Sequence, residues 1–584
     1  MYRYRLTLMR LILSMAIAPL VVAYAAPSPT IFNVKDYGAT GGGVVDDAPA
    51  IDAAIVAAQK ASGPVEVRLP AGRYLLASVR KYGLGYISIA NAKNLTLTGE
   101  VGTRLIAADL NVNLIGIWRC DHVTVTKFDL DASSLTFTQG VIDAIDSAAS
   151  TVDIHVDSGY DDIDRADFLK IEELKVFTNP DSGSWNQSTA PPKILSRERI
   201  GDHKWRLKLS AIKPEYVGKP WLLWRNIFRG WDFTMSENRD VVIDHINFIT
   251  ANNPFGIWRN PGNITLSNCR IGVAPGSGRL FCASGGMMVF LNRGLLTIDH
   301  CDFSRLDDDA VNMGTRFSRI LQKGDERTVV VGKDSIDYTA GDTVTIWDWS
   351  THRLRCTARI VKVDAPTPQT VQLTLDSDVE VKGTGAGNPK ASLHEYAWDG
   401  IDRVVDMDTA GRLLVRNCRI TSMRRTCFQL KASNSLIENN VFYNLHSPAI
   451  VVCPGFDWGE APAASNVTIR NNTFLNMDVP GIRVGEMGSA TGMDIKNVVI
   501  EGNRFDGLGA SPTTLGQMRG TAICVTNTDG VHIRNNKFSG QSAQANHAPA
   551  IIVGRSSNID VKGNRGLTGD QVAPGESRQW NSEY

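Results

Sequence analysis

Val467–Phe474 reads VTIRNNTF, and the chain returns to that phrase repeatedly. The same pattern stands at Ser435–Phe442 (SLIENNVF), Val498–Phe505 (VVIEGNRF) and Val531–Phe538 (VHIRNNKF). Earlier copies are ITLSNCRI at Ile264–Ile271, LTIDHCDF at Leu296–Phe303 and LLVRNCRI at Leu413–Ile420. Apolar and polar residues alternate through each phrase, which is the period of a strand with one buried face. Each phrase closes on an apolar anchor, with Cys or Asn two positions before it. One such unit cannot bury its own apolar face, so it stacks on copies of itself. Anchors recur at about 22 residues where turns are tight and about 32 elsewhere, as in coils whose loops lengthen on one face. The pattern predicts an all-β protein built as a right-handed parallel β-helix solenoid.

The composition suits that architecture. In 584 residues, Lys+Arg and Asp+Glu both total 61, so no strong field selects nucleic acid or an acidic polymer. Arg3, Arg5 and Arg10 precede the apolar run Leu11–Val22, and Ala23-Tyr24-Ala25 has the form of a cleavage site. A signal peptide over residues 1–25 and a periplasmic or secreted mature protein are expected. No later run is apolar and long enough to span a bilayer. Nine cysteines are an odd number for a disulfide framework. Cys269, Cys301 and Cys418 share the slot later taken by Asn440, Asn472, Asn503, Asn536 and Asn564. Equivalent slots stack in a solenoid, so these are expected to be buried thiols giving way to an asparagine ladder.

Phe32–Ala61 (FNVKDYGATGGGVVDDAPAIDAAIVAAQKA) gives a strand, a glycine-rich turn and a helix, with Asp46 and Asp47 as N-cap candidates. Ile51, Ala54, Ile55 and Ala58 share one face of that helix. The segment resembles the opening of the pectate-lyase-like superfamily, which implies a helix plugging the first coil. The first coils extend to about residue 130. The repeat breaks over 131–229, resumes over 230–316, breaks again over 317–407 and continues over 408–565. Each break contains short strands without the phrase and is read as a small inserted β-barrel-like module. Residues 566–584 are expected to be a mobile tail.

Asp307, Asp308 and Asp309 directly follow one repeat phrase. A carboxylate run is commonly a solvated turn, but Ala310, Val311 and Met313 continue into the next strand and place the run near a sheet edge. Two carboxylates held together push their pKa values apart and supply an acid and a base. Inverting glycoside hydrolysis uses such a pair with about 6.5–9.5 Å between carboxyl groups. Arg425 and Lys431 follow the next phrase, as sugar grips or as internal ion pairs. Asp457, Trp458 and Glu460 form a loop beyond the phrase after that. Trp458 and Trp258 are candidate stacking platforms, although packing is the commoner role of a single Trp.

Asp308-Asp309-Ala310-Val311-Asn312 is similar to the DDAxN motif of glycoside hydrolase family 110, bacterial exo-acting α-1,3-galactosidases. Arg425, Glu438–Phe442 (ENNVF), Trp458–Pro462 (WGEAP) and Arg470–Phe474 (RNNTF) match that family's further motifs in order, and the resemblance covers most of the mature chain. It implies an inverting hydrolase centred on Asp308 and Asp309. Asp307, Asn312, Arg425, Lys431, Asp457, Trp458, Glu460 and Trp258 are the substrate-binding candidates. A further family Asp has no counterpart in Ala283–Phe290, where Gly285 and Gly286 stand. Asp307, Asp457, Glu460 and Glu486 are candidate substitutes. The expected partner is an oligosaccharide or polysaccharide, with no cofactor, no metal and no nucleic acid, and the oligomeric state is left open. A polysaccharide lyase using Arg425 or Lys431 as base and a non-catalytic carbohydrate-binding solenoid are the competing readings.

Overall fold

The computed structural model describes residues 28–575, apart from 81–82, 178–190, 226–229, 275, 284, 333–335, 387–398, 462–463, 478, 486–493, 510–519, 541–548 and 567–571. Residues 1–25, read above as a signal peptide, and Glu486 and Ser284 therefore lie outside the described residues.

Three series of parallel strands wind along one axis. Two of them merge into a continuous 23-stranded sheet because Asp121–Ala132 and Arg239–Phe248 run through the corner between faces. The third face is a stack of short strands from Ile87–Ala90 to Val572–Gly575, and it carries the candidate site. Val572–Gly575 adds a rung to Ile551–Gly554 within the segment expected to be a mobile tail. Backbone pairing extends the solenoid past the last repeat phrase, which a motif search does not detect.

The repeat slot behaves as its chemistry dictates. Nδ2 of Asn440 donates to Oδ1 of Asn472 at 3.0 Å, and the chain of donations continues through Asn503 and Asn536 to Asn564. Cys301 donates its backbone N–H to the Cys418 sulfur, and the Cys418 N–H bonds Asn440 Oδ1, so thiols hand over to amides within one column. All nine cysteines are free. The residue before each slot turns the corner with positive φ, as at Asn439, Asn471, Asn535 and His300, because Asn and His tolerate that region better than most side chains. The anchors Phe442, Phe474, Phe505 and Phe538 stack face to face at 4.8, 4.6 and 5.2 Å. A second ladder, Asn238–Asn260–Asn292, lines another corner.

The helix Ala48–Ala58 caps the first coil, burying Ile51, Ala54, Ile55 and Ala58 completely. Asp46 accepts the Ala48 N–H, whereas Asp47 turns back to accept Thr40 and Gly41 N–H groups. The first inserted module is a six-stranded antiparallel sheet whose two edges meet at one bridge, Glu173–Lys193. The second is a closed six-stranded barrel. Its first strand, Ser318–Lys323, continues almost directly from the solenoid strand Val311–Arg316.

Candidate active site

Asp307–Asp309 form the corner by which the chain passes from the strand Asp302–Ser304 into Val311–Arg316. Fully buried Leu306 and Ala310 clamp the corner from both sides. Asp307 is spent on structure. Oδ1 accepts from Arg424 Nε at 2.7 Å and Oδ2 from Lys175 Nζ at 3.2 Å, and Lys175 belongs to the first module. Its carboxylate thus ties that module to the corner.

Asp308 is solvent-exposed and Asp309 half-buried, yet neighbouring protein atoms are close enough for burial to act on both carboxyls. The Asp309 N–H donates to Asp308 Oδ1 at 3.0 Å. Burial raises the Asp308 carboxyl, while Arg424 and Arg425 pull it back down. Asp309 is pushed well above the ordinary carboxylate range by burial and by the charge of Asp308, with Lys431 opposing and Glu460 adding repulsion. Arg425 makes no hydrogen bond or ion pair among the described residues. Burial and Arg424 lower its pKa, while Asp308 and Asp309 favour its charge.

The facing wall is built around Lys431, which is completely buried one rung above Asn312. Its Nζ donates to Asn312 Oδ1 at 2.7 Å and pairs with Glu460 Oε2 at 2.8 Å, while Asn312 Nδ2 reaches both Glu460 oxygens at 3.3 and 3.2 Å. Burial alone would raise the Glu460 carboxyl, but Lys431, Arg316 and Asn312 together hold it below its ordinary value. Glu460 is brought in by Glu460–Ala461, which pairs antiparallel with the end of Val311–Arg316. Gly314 permits that approach, since a Cβ there would meet the Ala461 carbonyl oxygen at 2.6 Å. Trp458 is 62% exposed, and its carbonyl accepts from Arg316 at 3.2 Å. The neighbouring Phe456 anchors the loop by stacking on Phe317 and on His352, at 5.4 and 4.1 Å. The side chain of Asp457 lies outside what is described.

Trp258 is half-buried, stacked on Phe290 at 5.7 Å and packed against the barrel core. It joins solenoid to barrel through that packing. Arg316 escaped the sequence reading. Its guanidinium covers the Phe290 ring at 4.3 Å and lies 3.9 Å from Glu460. The signal was present in the alternation of Val311–Arg316, which puts Asn312, Gly314 and Arg316 on one face. Gly286 explains its own identity, because a Cβ there would meet the carbonyl oxygens of Asp309 and Ala310 at 2.3 and 2.4 Å. At Gly285, a Cβ would meet Asn253 Oδ1 at 2.8 Å. A carboxylate at either position would displace the corner carrying Asp309 or the side chain of Asn253. Groups able to hold a metal lie elsewhere among the described residues, at Asp121–His122–Asp240 and Asp342–Asp406–Asp408.

Known proteins share this framework. Residues 31–141 match the family model for rhamnogalacturonase A/epimerase, pectate lyase-like, and residues 459–566 match the right handed beta helix region. An alpha-1,3-galactosidase A of Bacteroides thetaiotaomicron is 24% identical, covering 81% of this chain and 82% of its own. Another, from Bacteroides fragilis, is 22% identical over 74% of each. Among solved structures, an exopolygalacturonase of Thermotoga maritima covers 88% of this chain and 94% of its own at 12% identity, with a TM-score of 0.40. The chain is a parallel β-helix protein whose first coils match a pectate-lyase-like family model, and it is similar over most of its length to alpha-1,3-galactosidase A at 22–24% identity.

Proposed function

We propose that the protein is an exported glycoside hydrolase that cleaves an α-galactoside or a closely similar sugar with inversion. The reading rests on the adjacency of Asp308 and Asp309 at one corner, where burial raises both carboxyls and the charge of Asp308 raises Asp309 further. Asp309 is then the acid that protonates the leaving oxygen, and Asp308, more exposed and flanked by Arg424 and Arg425, is the base that activates water. Glu460 is held ionised by Lys431 and fits a role in gripping sugar hydroxyls. Trp458 offers an exposed ring to an apolar sugar face. The relatives' printed names support galactose as the first sugar to try.

The test is hydrolysis of galactosyl-α-1,3-galactose and of an aryl α-galactoside, followed by proton NMR from the first turnover. Inversion releases the β-anomer first. First release of the α-anomer, or full activity in both Asp308→Asn and Asp309→Asn, would overturn the reading. The acid assignment has its own check. Asp309→Asn is expected to lose much more activity on the disaccharide than on an aryl substrate whose leaving group needs no proton.

A further inference from the structure

The first module docks on the connection between Arg270–Ile271 and Met287–Phe290. The rings of Phe177 and Trp224 lie 5.3 and 5.8 Å from Phe281, in an apolar cluster that includes Phe137 and Leu280. Buried Gln139 holds the same connection by its backbone, accepting the Leu280 N–H at 2.9 Å and donating to the Gly278 carbonyl at 3.0 Å. The connection then pairs with the acidic corner. The Cys282 N–H donates to the Arg305 carbonyl at 3.0 Å, Ala283 bridges Leu306, and the Asp307 N–H donates to the Ala283 carbonyl at 3.1 Å.

Lys175 makes a further tie of a different chemistry. Its side chain is 16% exposed, its Nζ lies 5.8 Å over the Trp224 ring, and it pairs with Asp307 Oδ2 at 3.2 Å. Arg424 Nε takes the other carboxylate oxygen at 2.7 Å and the Asp307 carbonyl at 2.6 Å. So enclosed an ion pair adds little net stability, because both ions give up water, and apolar and backbone contacts already dock the module. What the pair adds is placement and charge beside Asp308. The charges acting on Asp308 come from Arg424, Arg425 and Asp307, those on Asp309 from Asp308, Lys431, Glu460 and Arg425, and Glu173 acts on Lys175. We propose that Lys175 is a positioning residue: by holding the Asp307 carboxylate, it lets the first module set the charge balance at Asp308. The Asp307 charge raises the Asp308 carboxyl and Arg424 lowers it, so a cation on Asp307 offsets part of the repulsion at Asp308. The catalytic meaning rests on the proposed reading of Asp308 as the base, which must be ionised to activate water.

The experiment follows Asp308 directly and needs no turnover. The mature protein is treated from about pH 3 to 8 with a stabilised diazo reagent, which esterifies a carboxyl only after taking its proton, and tandem mass spectrometry reads the ester at Asp308. Lys175→Met is expected to move the labelling midpoint of Asp308 upward by about half a pH unit or more. Lys175→Arg keeps the charge and is expected to stay within about 0.2 unit of wild type. The double variant Lys175→Met/Asp307→Asn removes both charges and is expected to return the midpoint to wild type or below, although it lacks the tie altogether. A merely structural tie would leave the double variant at least as displaced as the single one. An unchanged midpoint in Lys175→Met, or a double variant as high as the single, would overturn the proposal. Should Lys175→Met fail to fold, Asp307→Asn carries the opposite sign: its midpoint is expected to fall, and an unchanged one counts against the proposal equally. The acid limb of kcat/KM is expected to move with the label. Full activity in Asp308→Asn would remove the base assignment, while the labelling midpoints would still decide the role of Lys175.

Discussion

Asp309 holds its proton for two reasons that act in one direction, burial and the neighbouring charge of Asp308. Because its pKa is raised by folding, its stabilising contribution is complete below the ordinary carboxylate range and is lost as pH rises through the raised value. Asp309→Asn removes that penalty, so its melting temperature is expected to equal or exceed wild type from neutral pH upward. Its hydrolysis of unactivated galactosides is expected to fall about a hundredfold or more. Thermal melts across pH, set beside initial rates, check both halves. Lys431 presents the reverse case. Lys431→Met leaves Glu460 buried without its close partner, and denaturant titration is expected to show a loss of about 3–5 kcal/mol. Gly286→Ala is expected to disable the site with a smaller loss of stability, since its Cβ would press on the backbone of Asp309.

At the scale of elements, the asparagine column is a set of bonds between rungs. Asn472 accepts from Asn440 and donates to Asn503 and to the Ile437 carbonyl. Asn472→Ala strands two buried backbone groups and two neighbouring side-chain amides at once and is expected to cost about 3 kcal/mol, against about 1 kcal/mol for Asn564→Ala at the less buried end. Equilibrium unfolding of the two variants makes the comparison. The loop carrying Glu460 and Trp458 is a different kind of element, anchored by Phe456 among barrel aromatics. Trp458→Ala is expected to raise KM with an unchanged melting temperature, since the ring is exposed. These elements mark how much the sequence could convey. The ladder was legible because one slot, two residues before each anchor, recurs with the same chemistry, and Asp308–Asp309 because a carboxylate run met a strand. The Lys431–Glu460–Asn312 wall was visible only as separate candidates, since the antiparallel pairing that assembles it spans more than a hundred residues. The ties made by Asp307 were hidden for a similar reason. Its partner Lys175 sits in a module whose docking no local pattern records.

Across the whole molecule, the candidate site takes a contribution from both inserted modules. The first sends Lys175 to the acidic corner, and the second shares Phe317 and His352 with the loop of Glu460. The solenoid aligns the rungs, and the modules supply the walls. One strand joins all of these parts. Val311–Arg316 pairs with a rung below, a rung above and the antiparallel Glu460–Ala461, and then runs into the barrel. Its mechanical consequence is distinct. Pulled from the C-terminus in an optical trap, the chain should peel rung by rung, each step releasing roughly 100 Å for a coil of about 30 residues. The peeling front should stall at Val311–Arg316, where extension would have to break solenoid and barrel bonds together. The candidate site would thus lie at the point of greatest resistance in the chain.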